Sequence, residues 1–139
     1  MLENNQLKEI SKQCLEGWDL YKDSHKISVK EISEGKIWIG YSDNVKMPAI
    51  AGASWETTHF HVNIIDGVLY VLSIGVSEEN RGKGHGDKLY QILEHIAKDA
   101  GCKKVQMTAS GRTKTGESRK DYLLRRGYKE LGNEVYKDV

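Results

Sequence analysis

Leu7, Ile10, Cys14, Leu15, Trp18 and Tyr21 recur at three- and four-residue spacing, which predicts a helix from about Asn5 to Lys22 with one apolar stripe. From Lys26 the period shortens. Ile27-Ser28-Val29 leads to Ile32, a Ser33-Glu34-Gly35 turn and Lys36-Ile37-Trp38-Ile39-Gly40-Tyr41, the pattern of an antiparallel hairpin. The only proline, Pro48, precedes a strand candidate from Ala49 to Trp55, and Phe60 to Ile65 is another. Asp66-Gly67 is the dipeptide of a type I′ turn. Symmetric pairing outwards from that turn sets Ile65 opposite Val68, His61 opposite Leu72 and His59 opposite Ile74. Val68 to Val76 is almost continuously apolar, as in a central strand covered on both faces.

The second helix is predicted by Leu89, Ile92, Leu93, Ile96, Ala97 and Ala100, with Gly101 placed for a left-handed C-terminal cap. Val105, Met107 and Ala109 then alternate with polar residues, so strand, helix and strand form a βαβ unit with parallel strands. A basic loop from Ser110 to Gly116, a short helix ending at Gly127, and a hairpin of Tyr128 to Leu131 with Glu134 to Val139 complete the pattern. The expectation is a single α/β (α+β) domain spanning residues 1–139, a mixed, largely antiparallel sheet with helices on both faces.

Composition narrows the classes of function. A chain of 139 residues has the size of one domain, and 21 Lys+Arg against 20 Asp+Glu leave a formal charge of +1, which argues against a nucleic-acid coater. No apolar run approaches the roughly 20 residues of a membrane span. Met1 to Asn5 lacks the charged and apolar regions of a leader, which points to the cytoplasm. Cys14 on the first helix stripe and Cys102 after Gly101 are expected to be packing thiols, with no disulfide.

Chemistry concentrates between the central strand and the second helix, in Ser77-Glu78-Glu79-Asn80-Arg81-Gly82-Lys83-Gly84-His85-Gly86-Asp87. Its glycines let backbone approach a ligand, and the helix that starts there aims unpaired N–H groups at the turn, a seat for an anion such as a pyrophosphate. A Walker loop would need glycine at Ser77, and a dinucleotide fingerprint would need glycine or alanine at Asp87. What fits is Arg81-Gly82-Lys83-Gly84-His85-Gly86, an Arg/Gln-x-x-Gly-x-Gly/Ala signature. Following an apolar strand and followed by helix, strand and Arg126-Gly127-Tyr128, it resembles the GNAT superfamily of acyl-CoA-dependent N-acetyltransferases. The resemblance runs from about Val68 to Tyr136; ahead of it the order of elements departs from the family's, so the acceptor side does not carry over.

The resemblance implies a V-shaped opening where the strand ending at Val76 parts from the strand starting near Lys103, with an acyl-pantetheine arm between them. Backbone groups of Ile74, Gly75 and Val76 would bond the arm, and those from Arg81 through Gly82, Lys83, Gly84 and His85 to Gly86 the pyrophosphate. Gly75 is the candidate for a bulge that opens the strands. The oxyanion donor would be the N–H of Val76 or Ser77. The family's usual tyrosine position is Leu123 here, with Tyr122 one residue earlier, about 100° around the helix. Either a shifted helix turns Tyr122 towards sulfur or Tyr122 packs in the core.

The pairing from Asp66-Gly67 makes His59 the first choice of general base, ahead of His61 and Glu56. His59 and His61 share a strand face, yet nothing nearby completes a metal set, so no metal is expected. Arg112, Lys114, Arg119, Lys120, Arg125 and Arg126 form either a solvated face or a seat for the CoA 3′-phosphate or an acidic acceptor. Trp38 and Trp55 are candidate walls of an acceptor pocket, and the terminal strand Val135 to Val139 offers an edge for a homodimer. The function implied is direct transfer of an acetyl group from the cosubstrate acetyl-CoA to a primary amine, in a small molecule or a protein, within a ternary complex. A non-catalytic acyl-CoA sensor is the alternative.

Overall fold

The computed structural model describes residues 3–43, 57–111 and 116–139. Helix α1 (Asn4–Glu16) opens with a reciprocal cap in which Glu3 N–H donates to the Gln6 side chain at 2.8 Å. It is shorter than its apolar stripe. The chain leaves the helix at Gly17, where Trp18 N–H returns to the Leu15 carbonyl at 2.9 Å, so Trp18 and Tyr21 belong to turns. Trp18 is buried all the same, because the turn folds it against Tyr41 and His85.

Strands β1 (Lys26–Ser33) and β2 (Lys36–Ser42) form the first hairpin, closed by Gly35 in the left-handed region. The strand expected at Ala49 to Trp55, together with Pro48 and Glu56, lies outside the described residues. Strands β3 (His59–Ile65) and β4 (Val68–Gly75) are joined by Asp66 and Gly67 with φ of 50° and 75°, the positive pair of a type I′ turn.

Helix α2 (His85–Asp99) follows, ending as its glycine requires. Cys102 N–H bonds the Ala97 carbonyl at 2.8 Å and Gly101 N–H the Lys98 carbonyl at 3.1 Å, with Gly101 at φ 82°. Then come β5 (Lys104–Thr108), α3 (Arg119–Arg125), β6 (Lys129–Leu131) and β7 (Glu134–Asp138).

The seven strands of the described residues form one mixed, largely antiparallel sheet in the order β1-β2-β3-β4-β5-β7-β6, in which β4 and β5 pair in parallel. Leu7 and Leu15 of α1 and Leu89, Ile92, Leu93 and Ile96 of α2 are buried with Ile39, Phe60, Val62, Leu69 and Val105 of the sheet in one core. The helices are tied to each other at the sites that matter below. Trp18 Nε1–H donates to His85 Nδ1 at 3.2 Å, and Tyr122 of α3 packs on Tyr90 of α2. Among the described residues no helix is long and apolar enough to cross a membrane.

Register departs from symmetry at one place that decides the site. Ile65↔Val68 through Val62↔Val71 pair as a two-residue turn dictates, but His61 then faces Ser73 and His59 faces Gly75. Leu72 is the extra residue of a β-bulge, 56% exposed. The expected pairs His61–Leu72 and His59–Ile74 are therefore each displaced by one residue, and the bulge sits at Leu72 rather than Gly75.

Candidate active site

The β4–β5 ladder begins at Val68↔Lys104 and stops at Val71↔Met107, whereas β4 runs on to Gly75. Beyond Met107, β5 stays with β7, pairing Thr108 with Glu134. The two parallel strands thus part at their carboxyl ends, where sequence reasoning placed the opening. A cavity of about 550 Å³ lies there, its lining including Asn63, Tyr70 and Ser73 from β3 and β4, Gln106 and Thr108 from β5, and Glu134 and Arg119. For this reason β4 is less covered than its apolar sequence suggests: Tyr70 to Gly75 are half-buried or exposed.

Past β4 the chain makes one short helical turn, Glu78–Asn80, and enters the glycine segment. Gly82 and Gly84 take φ of 78° and 79°, a region that other residues enter only at a cost. Gly84 is the N-cap of α2, and the first helical bond runs from Lys88 N–H to its carbonyl. The N–H groups of His85, Gly86 and Asp87 precede that bond, so the helix N-terminus points its donors and positive dipole end out of the turn. No Cβ at Gly84 or Gly86 would meet another atom within 4 Å, so the turn stands open.

Side chains around the turn are committed to holding it. Arg81 Nε donates to the Val76 carbonyl at 3.0 Å, locking the turn to the end of β4. The His85 ring is held by Trp18, which leaves its backbone N–H for a ligand. Ser77 N–H donates to Thr58 Oγ1 at 3.1 Å, so of the two N–H groups expected as oxyanion donors Ser77 is engaged. Ser77 Oγ also accepts from Thr58 and from Asn80 at 3.2 and 2.8 Å, pinning the turn to the start of β3.

His59 is 2% exposed and does not itself line the cavity. Its Nδ1 lies 3.1 Å from both the carbonyl and the hydroxyl of Thr57, and its Nε2 lies 3.0 Å from Ser73 Oγ. Burial lowers its pKa, opposed by the Thr57 carbonyl and the carboxylate of Asp43, so the ring is held neutral. His61 packs edge-on against Trp38, with ring centroids 5.5 Å apart, and burial with neighbouring His59 pushes its pKa down to about 4. Trp38 thus serves the histidine face, and Trp55 lies outside the described residues.

Tyr122 is half-buried and packs against the core, whose interior takes Leu123, and it does not line the cavity. Its hydroxyl donates to Asp87 in the first turn of α2, and burial together with that carboxylate raises its pKa. Of the basic cluster, Lys120 pairs with Glu130 (3.3 Å), Arg125 with Glu117 (2.9 Å), and Arg126 with Asp87 and Glu94 (3.4 and 3.3 Å). Arg119 is held by the Tyr90 hydroxyl, a neutral group, at 3.3 Å. Arg112 and Lys114 lie outside the described residues. Cys14 Sγ sits 3.7 Å from Asp99 and Cys102 is buried, both with raised pKa. Among the described residues no three His, Cys, Asp or Glu gather as a metal site.

The residues that sequence reasoning missed are Ser73, the Thr57–Thr58 pair, Asp87 and Glu134. Ser73 carried a signal, as the single serine in an apolar strand. Glu134 carried none, since it meets Gln106 (2.7 Å) only across the β5–β7 pairing.

No curated protein matches the chain in sequence. A protein of Agrobacterium tumefaciens assigned as an acetyltransferase superposes with a TM-score of 0.51 at 17% identity, covering 100% of this chain and 95% of its own. The PaiA N-acetyltransferase of Thermoplasma acidophilum, solved in complex with coenzyme A, gives 0.49 at 16% over 76% of this chain and 62% of its own. An acetyltransferase of Bacillus cereus gives 0.48 at 16% over 100% and 95%. The model of the acetyltransferase (GNAT) family matches residues 4–128, and with the parted β4–β5 pair and the glycine turn already in place, the chain belongs to that family of acetyltransferases.

Proposed function

We propose that the protein transfers an acetyl group from acetyl-CoA to a primary amine in a ternary complex. The observation that carries this reading is the parting of β4 from β5 directly ahead of a left-handed glycine turn that opens α2. In this reading the free edge at Ile74, Gly75 and Val76 pairs with the pantetheine amides, and the backbone from Arg81 to Gly86 cradles the pyrophosphate. The Val76 N–H takes the oxyanion. Asn63 and Glu134 in the cavity wall offer carbonyl and carboxylate oxygens, which suit an ammonium-bearing acceptor.

His59 is the base that receives the acceptor's proton, its neutral ring suited to the task. Tyr122 is the candidate donor to the departing thiolate and must first leave Asp87 to act. The test is thiol release from acetyl-CoA against polyamines, amino sugars and lysine peptides, with the acetylated product identified by mass. His59→Gln is expected to keep acetyl-CoA affinity and lose about 100-fold or more in kcat. Unchanged kcat would remove His59 from the mechanism. Failure of the unaltered protein to bind acetyl-CoA would remove the whole reading.

A further inference from the structure

His59 is buried on β3, and among the described residues Ser73 links its ring to the cavity. The Thr57 carbonyl 3.1 Å from Nδ1 can only accept, so Nδ1 carries the proton of the neutral ring. Nε2 is left with its lone pair, and the Ser73 hydroxyl 3.0 Å away is the donor that satisfies it. Ser73 Oγ also lines the cavity, two residues past the last β4–β5 pair. The bulge at Leu72 is what sets this pairing: without the extra residue, Leu72 rather than Ser73 would face His61 on this side of the sheet.

We infer that Ser73 is the catalytic residue at the cavity wall, relaying the acceptor's proton to His59, which stands one bond behind it. The inference rests on the acetyl-transfer reading and deepens it. As the amine nitrogen bonds to the thioester carbonyl carbon, the C–S bond breaks and its electron pair leaves with sulfur. The ammonium proton passes to Ser73 Oγ while the hydroxyl's own proton passes to His59 Nε2. The imidazolium so formed keeps its Nδ1–H on the Thr57 carbonyl and afterwards returns its proton through Ser73 to the cavity. Among the described residues, the titratable groups that face His59 are His61 beside it on β3, with ring centroids 5.6 Å apart, and Asp43 just past β2. The hydroxyls of Thr57 and Ser73 lie against its two ring nitrogens.

The experiment joins nitrogen-15 NMR of the histidine rings with kinetics of three proteins: unaltered, Ser73→Ala and Ser73→Thr. NMR is expected to show His59 protonated at Nδ1 and bare at Nε2, with the Nε2 resonance moved by Ser73→Ala. With the amine panel, Ser73→Ala should lower kcat about 100-fold at unchanged acetyl-CoA affinity, lose the acid limb of the pH profile, and recover in Ser73→Thr. An Nε2-protonated His59 overturns the relay whether or not any amine is acetylated. So does full activity in Ser73→Ala, and so does an acetyl group trapped on Ser73, which would make it a nucleophile. Acetyl-CoA binding without thiol release from any amine overturns the enzyme reading and the relay together.

Discussion

Two regions at the carboxyl end of β4 are built on different principles. The turn from Ser77 to Gly86 presents backbone N–H groups at a helix start, and its side chains, Arg81 on Val76 and His85 on Trp18, hold the backbone in place. The cavity, from Asn63 through Ser73, with His59 behind it, to Glu134, presents side chains contributed by β3, β4 and the start of β7. A backbone site depends on a few consecutive φ angles, so glycine spacing announces it. A side-chain site depends on register between strands far apart in sequence, and one inserted residue re-aims it.

The sharpest way to break this contrast is Gly84→Glu. At φ 79° a side chain strains the backbone by about 1–2 kcal/mol, and its carboxylate adds like-charge repulsion in the phosphate seat. Acetyl-CoA affinity by calorimetry should fall about 100-fold or more, with the fold retained. Unchanged affinity would show that the turn binds no phosphate.

The buried histidines behind the cavity should instead reveal themselves in acid. His61, 3% exposed and neutral, takes a proton only near pH 4 in the fold, against about 6.5 in the unfolded chain. The unfolded state therefore binds the proton first, and the stability that His61 supplies is whole above pH 6.5 and falls between there and pH 4. The loss is up to about 3 kcal/mol. Denaturant melts at pH 7 and pH 4.5 should show it, and His61→Gln should flatten the difference. An equal fall in that variant would mean that other groups carry the acid sensitivity.

Tyr122→Phe removes the proposed donor to the thiolate and should lower kcat about tenfold, with acetyl-CoA affinity nearly unchanged. Unchanged kcat would remove Tyr122 from the mechanism and leave its hydroxyl as a tie between α3 and Asp87 of α2.

Local signals in the chain foretold local structure. Asp66-Gly67 formed the turn its residues dictate, Gly101 the cap, and the alternation around Val105 the parallel strand. The end of α1 was misplaced because Trp18 and Tyr21 continue the helical period while Gly17 breaks the helix, and a turn buries Trp18 as well as a helix would. The partner of His59 was misplaced because nothing near Leu72 in sequence marks a bulge: an aliphatic in an aliphatic strand reads as one more regular position. Tyr122 and Asp87, 35 positions apart, meet only through the packing of α3 on α2.

The most direct test of the account is calorimetric titration of the unaltered protein with acetyl-CoA, followed in the same sample by thiol release against the amine panel. The account predicts saturable binding and release with at least one amine class, both lost in Gly84→Glu. No binding by the unaltered protein would contradict it.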